Sequence, residues 1–248
     1  MVVIKTRSEL NKMREAGRVV ARVLEKLREK VSEGVTTAEL EEVAEAECRR
    51  LGATPAFKGY RGYPYALCCS VNEQVVHGMP GKRRLKAGDI VSLDFGCVVD
   101  GYYGDAAITV GVGEVSDEAR RLMDATRRAL EAAIEQMRPG RRLGDVSAAV
   151  QQVVEAAGFS VVRQFVGHGI GRQLHEEPAV PNFGVAGRGM KLRPGVVLAI
   201  EPMVNAGGYE VEILADGWTA VTKDGKLSAH FEHTVAVTED GPWILSLP

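Results

Sequence analysis

The chain has 248 residues, of which 45% are apolar and 26% charged, values that exclude a disordered or fibrous protein. Lysine and arginine number 31 against 33 aspartates and glutamates, and the net charge of −2 argues against nucleic acid as a substrate or main partner. The wholly apolar run Val196 to Ile200, as long as any in the chain, is far short of the ~20 residues of a membrane span, and Met1 to Arg14 has no apolar signal-peptide core.

Thr6-x-x-Glu9 reads as a capping box, followed by Leu10, Met13, Val20, Leu24, Leu27 and Val31 at helical spacing until Gly34 breaks the run. A second helix is expected from about Thr37, with Leu40, Val43, Ala44 and Leu51 on one face, to Gly52. Asp117 to Met137 and Asp145 to Gly158 predict two more, separated by Pro139-Gly140. Gly34 and Gly140, Leu40 and Val146, and Gly52 and Gly158 stand at one constant offset. Leu85 to Asp94 matches Leu192 to Glu201 at an offset one residue longer, which pairs Asp94 with Glu201. The expectation is a single domain over residues 1–248 with two α+β halves, about 1–113 and 114–248, packed around a pseudo-twofold axis. An interface between halves is a natural ligand site. Asp100-Gly101, Asp216-Gly217, Asp224-Gly225 and Asp240-Gly241 each fall between strand-like runs as hairpin turns, so the sheet is expected to be mainly antiparallel.

Closing a two-residue turn on Asp100-Gly101 sets Val99 opposite Tyr102, Asp94 opposite Ala107 and Asp105 opposite Gly96. Asp94 and Asp105 then share a face as diagonal neighbours, with Cα atoms roughly 7–8 Å apart. On a buried face two carboxylates repel and lose hydration, and a shared cation removes both penalties. For any two aspartates the competing reading is an outward, solvated face. The second half shifts the balance. Glu201 ends the apolar run Val196 to Ile200, and Glu232 precedes a Thr-Val-Ala-Val strand in the place that Asp105 holds in the first half. Each half thus supplies one carboxylate at the end of an apolar strand and one on a following strand, a pattern suited to two bridged metal ions. His168 lies in Val166-Gly-His-Gly-Ile-Gly171, where flanking glycines permit close backbone approach, and reads as a further ligand. The same glycines lie outside any βαβ unit, which excludes a dinucleotide loop. His77 and His175 sit in unusual surroundings but are weak signals alone. His230 and His233 flank Glu232 and are read as pointing away from it by strand alternation, in structural or supporting roles.

The strings Gly62-Tyr-Pro64, Ser70-Val-Asn-Glu73, His77-Gly-Met-Pro80, Gly104-Asp-Ala-Ala-Ile-Thr109, Gly167-His-Gly-Ile-Gly171, His175-Glu-Glu-Pro178, Ile200-Glu-Pro-Met203 and Phe231-Glu-His-Thr234 resemble the type I methionine aminopeptidases over essentially the whole chain. The resemblance implies the pita-bread fold, a pseudo-symmetric α+β domain whose antiparallel sheet is covered by helices. It implies metal-dependent removal of the initiator methionine from nascent chains when the second residue is small. Matched by motif, Asp94, Asp105, His168, Glu201 and Glu232 are the family's metal ligands, with Asp105 and Glu232 bridging. His77 and His175 match its substrate-contacting histidines, and Phe57, Tyr60, Tyr63, Cys68, Leu174 and Trp218 fall where the methionine pocket is built. Phe57 and Leu174 stand where some bacterial members carry Cys and Phe. Neither the long insertion of the type II enzymes nor a zinc-finger extension is expected, which points to the bacterial type.

Four carboxylates and one imidazole suit two divalent ions, Mn, Fe or Co, with Zn also accepted. Glu201 is expected to take a proton from the attacking water and return it to the leaving amine, and His175 to stabilise the oxyanion. His77 is expected to contact the scissile amide or the backbone of the second residue. The partner expected is a nascent polypeptide N-terminus near the ribosome exit, met by a monomer with no membrane association. Cys48, Cys68, Cys69 and Cys97 form no Cys-x-x-Cys pair, so a reducing cytoplasm is the expected compartment. Prolidases and aminopeptidase P share the ligands but carry an extra N-terminal domain, for which helices starting at residue 6 are expected to leave no room. A non-catalytic binding protein on the same fold would be expected to have lost ligands, and all five are present.

Overall fold

Residues 2–248 are described by a computed structural model. Helices α1 (Arg7–Lys30) and α2 (Thr37–Arg50) precede β1 (Thr54–Pro55), a 3₁₀ turn at Tyr60–Gly62, β2 (Leu67–Val71) and β3 (Gln74–Val76). The long strands β4 (Ile90–Val99) and β5 (Tyr102–Gly111) come next, then α3 (Asp117–Glu135) and α4 (Leu143–Ala156). The rest of the chain forms short strands: β6 (Ser160–Val161), β7 (Gly167–Gly169), β8 (Glu176–Val180), β9 (Val197–Ile200) and β10 (Met203–Asn205). They continue as β11 (Val211–Ile213), β12 (Ala220–Thr222), β13 (Ser228–His230), β14 (Glu232–Thr238) and β15 (Gly241–Ile244).

All four expected helices are present. Thr6 Oγ1 accepts from the Glu9 amide while the Glu9 carboxylate accepts from the Thr6 amide, so two orphan donors of α1 are satisfied reciprocally. Thr36 and Glu39 repeat the arrangement at α2. Among the described residues no helix is long and apolar enough to cross a membrane.

Nine strands form one curled sheet whose central order is β1-β4-β5-β14-β9-β7-β8, with β2 added on β4 and β15 on β14. Every pairing in it is antiparallel. Two three-stranded sheets, β13-β10-β6 and β11-β12-β3, complete the structure. The β4–β5 hairpin has the expected register, with Val99 opposite Tyr102, Asp94 opposite Ala107 and Gly96 opposite Asp105. One turn corrects the sequence reading. Asp224-Gly225 joins β12 to β13, which lie in different sheets, so it closes no hairpin. The Asp224 carboxylate instead accepts from the Gly208 and Lys226 amides, which ties the turn to a neighbouring loop.

The alternation of side chains along each strand divides the sheet into two faces. One face packs against the helices. Leu93, Phe95 and Ala106 bury against α1 and α2, and Leu198, Ile200 and Val235 against α3 and α4. Truncating a fully buried leucine such as Leu93 would cost about 2–5 kcal/mol. Residues one step away along the same strands face the opposite, concave side, and these include Asp94, Asp105, Glu201 and Glu232.

Candidate metal centre and adjoining cavity

Strand register alone collects the acidic side chains. Ala107 on β5 is opposed by Asp94 on one side and Glu232 on the other, so all three share a face. Asp105, two residues before Ala107, lies on that face as well. On the far side of β14, Ala199 is opposed by Thr234 and by His168. Thr234 is two residues after Glu232 and Glu201 two after Ala199, which brings His168 and Glu201 onto the same surface.

The glycines around His168 are required by close approach. A Cβ at Gly167 would sit 2.4 Å from the Ala199 carbonyl oxygen, and one at Gly169 would sit 2.2 Å from that of Glu177. The Gly169 carbonyl accepts from His168 Nδ1 at 2.9 Å. A carbonyl can only accept, so the proton is on Nδ1 and the Nε2 lone pair is free. Nε2 lies 3.5 Å from Glu201 Oε1 and 4.0 Å from Asp105 Oδ2. Burial pushes the His168 imidazole down to about 4, which keeps it neutral and able to act as a ligand.

Burial raises all four carboxyls above the ordinary carboxylate range. For Asp105, Glu201 and Glu232, repulsion from the neighbouring carboxylates adds to the rise. Among the described residues the buried side-chain polar atoms without a hydrogen-bond partner are Asp94 Oδ1, Asp105 Oδ1, Glu232 Oε1 and His230 Nε2. Such orphans are rare in folded proteins because each costs its full desolvation penalty. Here they converge on one spot, and the donor atoms of Asp105, His168 and Glu232 lie within 4.8 Å of one another. Oxygen donors with an imidazole suit a divalent cation, which would satisfy the orphans and neutralise the repulsion. The residues present fit such ions.

The side chains singled out in the sequence line one cavity of about 140 Å³. Its floor is Asp94, Asp105, His168, Glu201 and Glu232, and its walls are Phe57, Tyr60, Tyr63, Cys68, His77, Leu174, His175 and Trp218. Phe57, Tyr63, Cys68 and Leu174 belong to one apolar cluster, with Tyr60 and Trp218 packed on its edge. Tyr63 and Trp218 meet edge to face at 5.1 Å. His77 stands edge-on to Phe165 at 5.4 Å and adopts φ of 59°, a left-handed conformation that a non-glycine residue keeps only where its surroundings enforce it. Burial lowers its imidazole below the usual range. His175 lies at the exposed lip, 2.9 Å through Nδ1 from the Tyr60 hydroxyl and 4.1 Å ring to ring from His168. Partial burial and then the nearby His168, Arg61 and His77 keep its imidazole neutral.

Two features escaped the sequence reading. Arg61 lines the same cavity from a left-handed backbone position and carries no motif that would reveal it. His230 does not turn away from Glu232: its Nε2 lies 3.6 Å from Glu201 Oε2, and its donor atom falls within 4.8 Å of Glu201 and Glu232. Residues two apart share a face, so the alternation applied to His230 should have placed it beside Glu232. His233 does face away, with Nδ1 2.8 Å from Ser246 Oγ.

A larger groove of about 670 Å³ opens from the same spot, sharing Arg61, His168 and His175 and running past Lys5, Arg172 and Glu176.

Comparison with known proteins agrees with this geometry. The family model described as Metallopeptidase family M24 matches residues 11–239. A methionine aminopeptidase of Clostridium perfringens is 55% identical over 100% of this chain and 99% of its own length. Methionine aminopeptidase 1 of Bacillus subtilis is 50% identical over 99% of each. The crystal structure of methionine aminopeptidase from Thermotoga maritima superposes with a TM-score of 0.99 at 51% identity, over 100% of both chains. Prolidase from Pyrococcus furiosus shares the fold alone, with a TM-score of 0.81 at 22% identity over 99% of this chain and 66% of that one. These likenesses give the pita-bread fold expected from the sequence.

Proposed function

Because the chain belongs to metallopeptidase family M24, we infer that it acts as a methionine aminopeptidase, a metal-dependent hydrolase that removes N-terminal methionine. The observation that carries this reading is the convergence of orphaned carboxylate oxygens beneath an aromatic-lined cavity.

Asp94, Asp105, His168, Glu201 and Glu232 would hold two divalent ions, Co, Mn, Fe or Zn. When bound, such ions act as Lewis acids towards the scissile carbonyl and lower the pKa of a water towards ~7. Glu201 accepts the proton of the attacking water and later returns it to the leaving amine. The Tyr60 hydroxyl, donating to His175 Nδ1, leaves Nε2–H to donate to the oxygen on which charge develops. His77, fixed by its backbone and by Phe165, contacts the amide on the leaving side.

The methionine side chain occupies the space between Phe57, Tyr60, Tyr63, Cys68, Leu174 and Trp218, where sulfur–aromatic contacts contribute about 0.3–1.5 kcal/mol each. The second residue passes close to His77 and must be small. The groove beyond Arg61 and His175 gives the rest of a polypeptide a way out. The substrate is then the N-terminus of a nascent chain near the ribosome exit, in the cytoplasm. Every residue invoked comes from one chain, so a monomer suffices, and residues 1–113 and 114–248 act as two halves of one catalytic domain.

The test is kcat/KM for Met-Ala-Ser against Leu-Ala-Ser and Met-Lys-Ser. A branched leucine fits the slot worse, and such misfit typically costs about 10–200-fold. Comparable values for the first two peptides would refute the methionine assignment and leave a general aminopeptidase.

A further inference from the structure

Among the described residues, His230 is the one orphaned buried group that the mechanism above does not use. It is 1% exposed, and its backbone is clamped from both sides by Thr109, whose Oγ1 accepts from the His230 amide at 2.9 Å and donates to the His230 carbonyl at 2.7 Å. Ser92 Oγ in turn lies 2.9 Å from Thr109 Oγ1. The backbone that carries the ring is therefore held in place, yet the ring Nε2 has no hydrogen-bond partner. A buried imidazole without a partner is costly unless something completes it.

The atom that Nε2 approaches is Glu201 Oε2, at 3.6 Å. The other oxygen of the same carboxylate faces His168 Nε2 at 3.5 Å. The two imidazoles are not equivalent. The proton of His168 is on Nδ1, so its Nε2 can offer only a lone pair. His230 has no such restriction, and a carboxylate can only accept, so the complementary arrangement is Nε2–H donating to Oε2. Hydrogen bonds at catalytic sites are often long without ligands and tighten when the site is loaded. Carboxylates that bind metals are in turn oriented by hydrogen bonds from their surroundings.

We propose that His230 is a positioning residue for Glu201: its Nε2–H holds Oε2 and so orients the carboxylate that binds metal and carries the proton. This rests on the reading of Glu201 given above. It assigns to His230 a donor function that a planar amide could replace and an apolar side chain could not.

The test compares His230→Leu and His230→Gln with the parent protein, first stripped of metal and then titrated with Mn(II), with the free ion followed by electron paramagnetic resonance. His230→Leu is expected to bind Mn(II) ~10–100-fold more weakly, the usual effect of losing a group that orients a metal ligand. His230→Gln, which can still donate, is expected to stay close to the parent. In a Glu201→Gln background the His230→Leu change should add no further loss, because its effect passes through Glu201. His230→Met, flexible and without a donor, replaces His230→Leu if the latter does not fold. Equal weakening by His230→Leu and His230→Gln would overturn the proposal in favour of direct ligation by the imidazole. Unchanged affinity in both variants, or additive losses in the Glu201→Gln background, would overturn it outright. Should the parent protein fail to cleave Met-Ala-Ser, the functional reading falls, while Mn(II) affinity still decides the part played by His230.

Discussion

The two pairs of carboxylates at the site are held by different kinds of backbone. In the β4–β5 hairpin ten consecutive residue pairs stay in register from Ile90 opposite Gly111 to Val99 opposite Tyr102. Asp94 and Asp105 are placed there by local alternation alone. Glu201, Glu232 and His168 come from three segments far apart in sequence, Glu201 from the residue that follows β9, and β14 shares only Glu232–Ala107 and His233–Ala106 with β5. Side chains take over where that ladder stops. Thr234 Oγ1 donates to the Asp105 carbonyl at 2.8 Å and accepts from its amide at 3.2 Å, and Thr109 does the same for His230. A local hairpin fixes geometry by itself, whereas an assembled surface depends on individual polar side chains.

Mutations on the two sides should separate accordingly. The largest effect is expected at Glu201→Gln, where loss of the proton acceptor lowers kcat by ~10²–10⁴-fold in initial-rate assays on Met-Ala-Ser. A loss of less than about tenfold would reduce the assembled side to scaffolding. His175→Ala comes next, with kcat falling by about 10²–10³-fold while metal content is unchanged. Loss of metal from that variant would place His175 among the ligands instead.

The clasp itself can be tested by urea unfolding. Thr234→Val strands the buried Asp105 amide and carbonyl and should cost about 1–3 kcal/mol, against about 0.5–1.5 kcal/mol for Ser92→Ala within the hairpin. Equal shifts in the transition midpoint would erase the contrast between the two sides. The smallest effect concerns pH. Burial, and then Asp94, raises the Asp105 carboxyl, so the folded chain binds that proton more tightly than the unfolded chain. Its contribution therefore opposes folding increasingly as pH rises above about 4. Metal-free Asp105→Asn should be more stable than the parent at neutral pH, and the gain should shrink towards pH 4. A difference that is flat with pH would mean that Asp105 is not held in a repulsive cluster.

The same contrast explains what could be read from the sequence. The four helices, the β4–β5 register and the Asp94–Asp105 pair follow from capping boxes, spacing and one Asp-Gly turn, all local signals. Glu201 is identified by its match to Asp94, and His168 by glycines that are sterically necessary. What local rules could not supply was the joining of strands from distant segments. Asp224-Gly225 looks like any hairpin turn until its strands are seen in separate sheets. Arg61 reaches the cavity only through the path of its loop. His230 was legible, because a period of two places it beside Glu232.

The central claim is that the orphaned carboxylate oxygens exist to hold divalent ions that the reaction requires. The direct test is to strip the protein with a chelator, measure its metal content, and follow cleavage of Met-Ala-Ser as Mn(II), Fe(II) or Co(II) is returned. The account predicts that the stripped protein is inactive and that activity returns with bound metal, up to two ions per chain. Full activity in a preparation shown to be free of metal would contradict it.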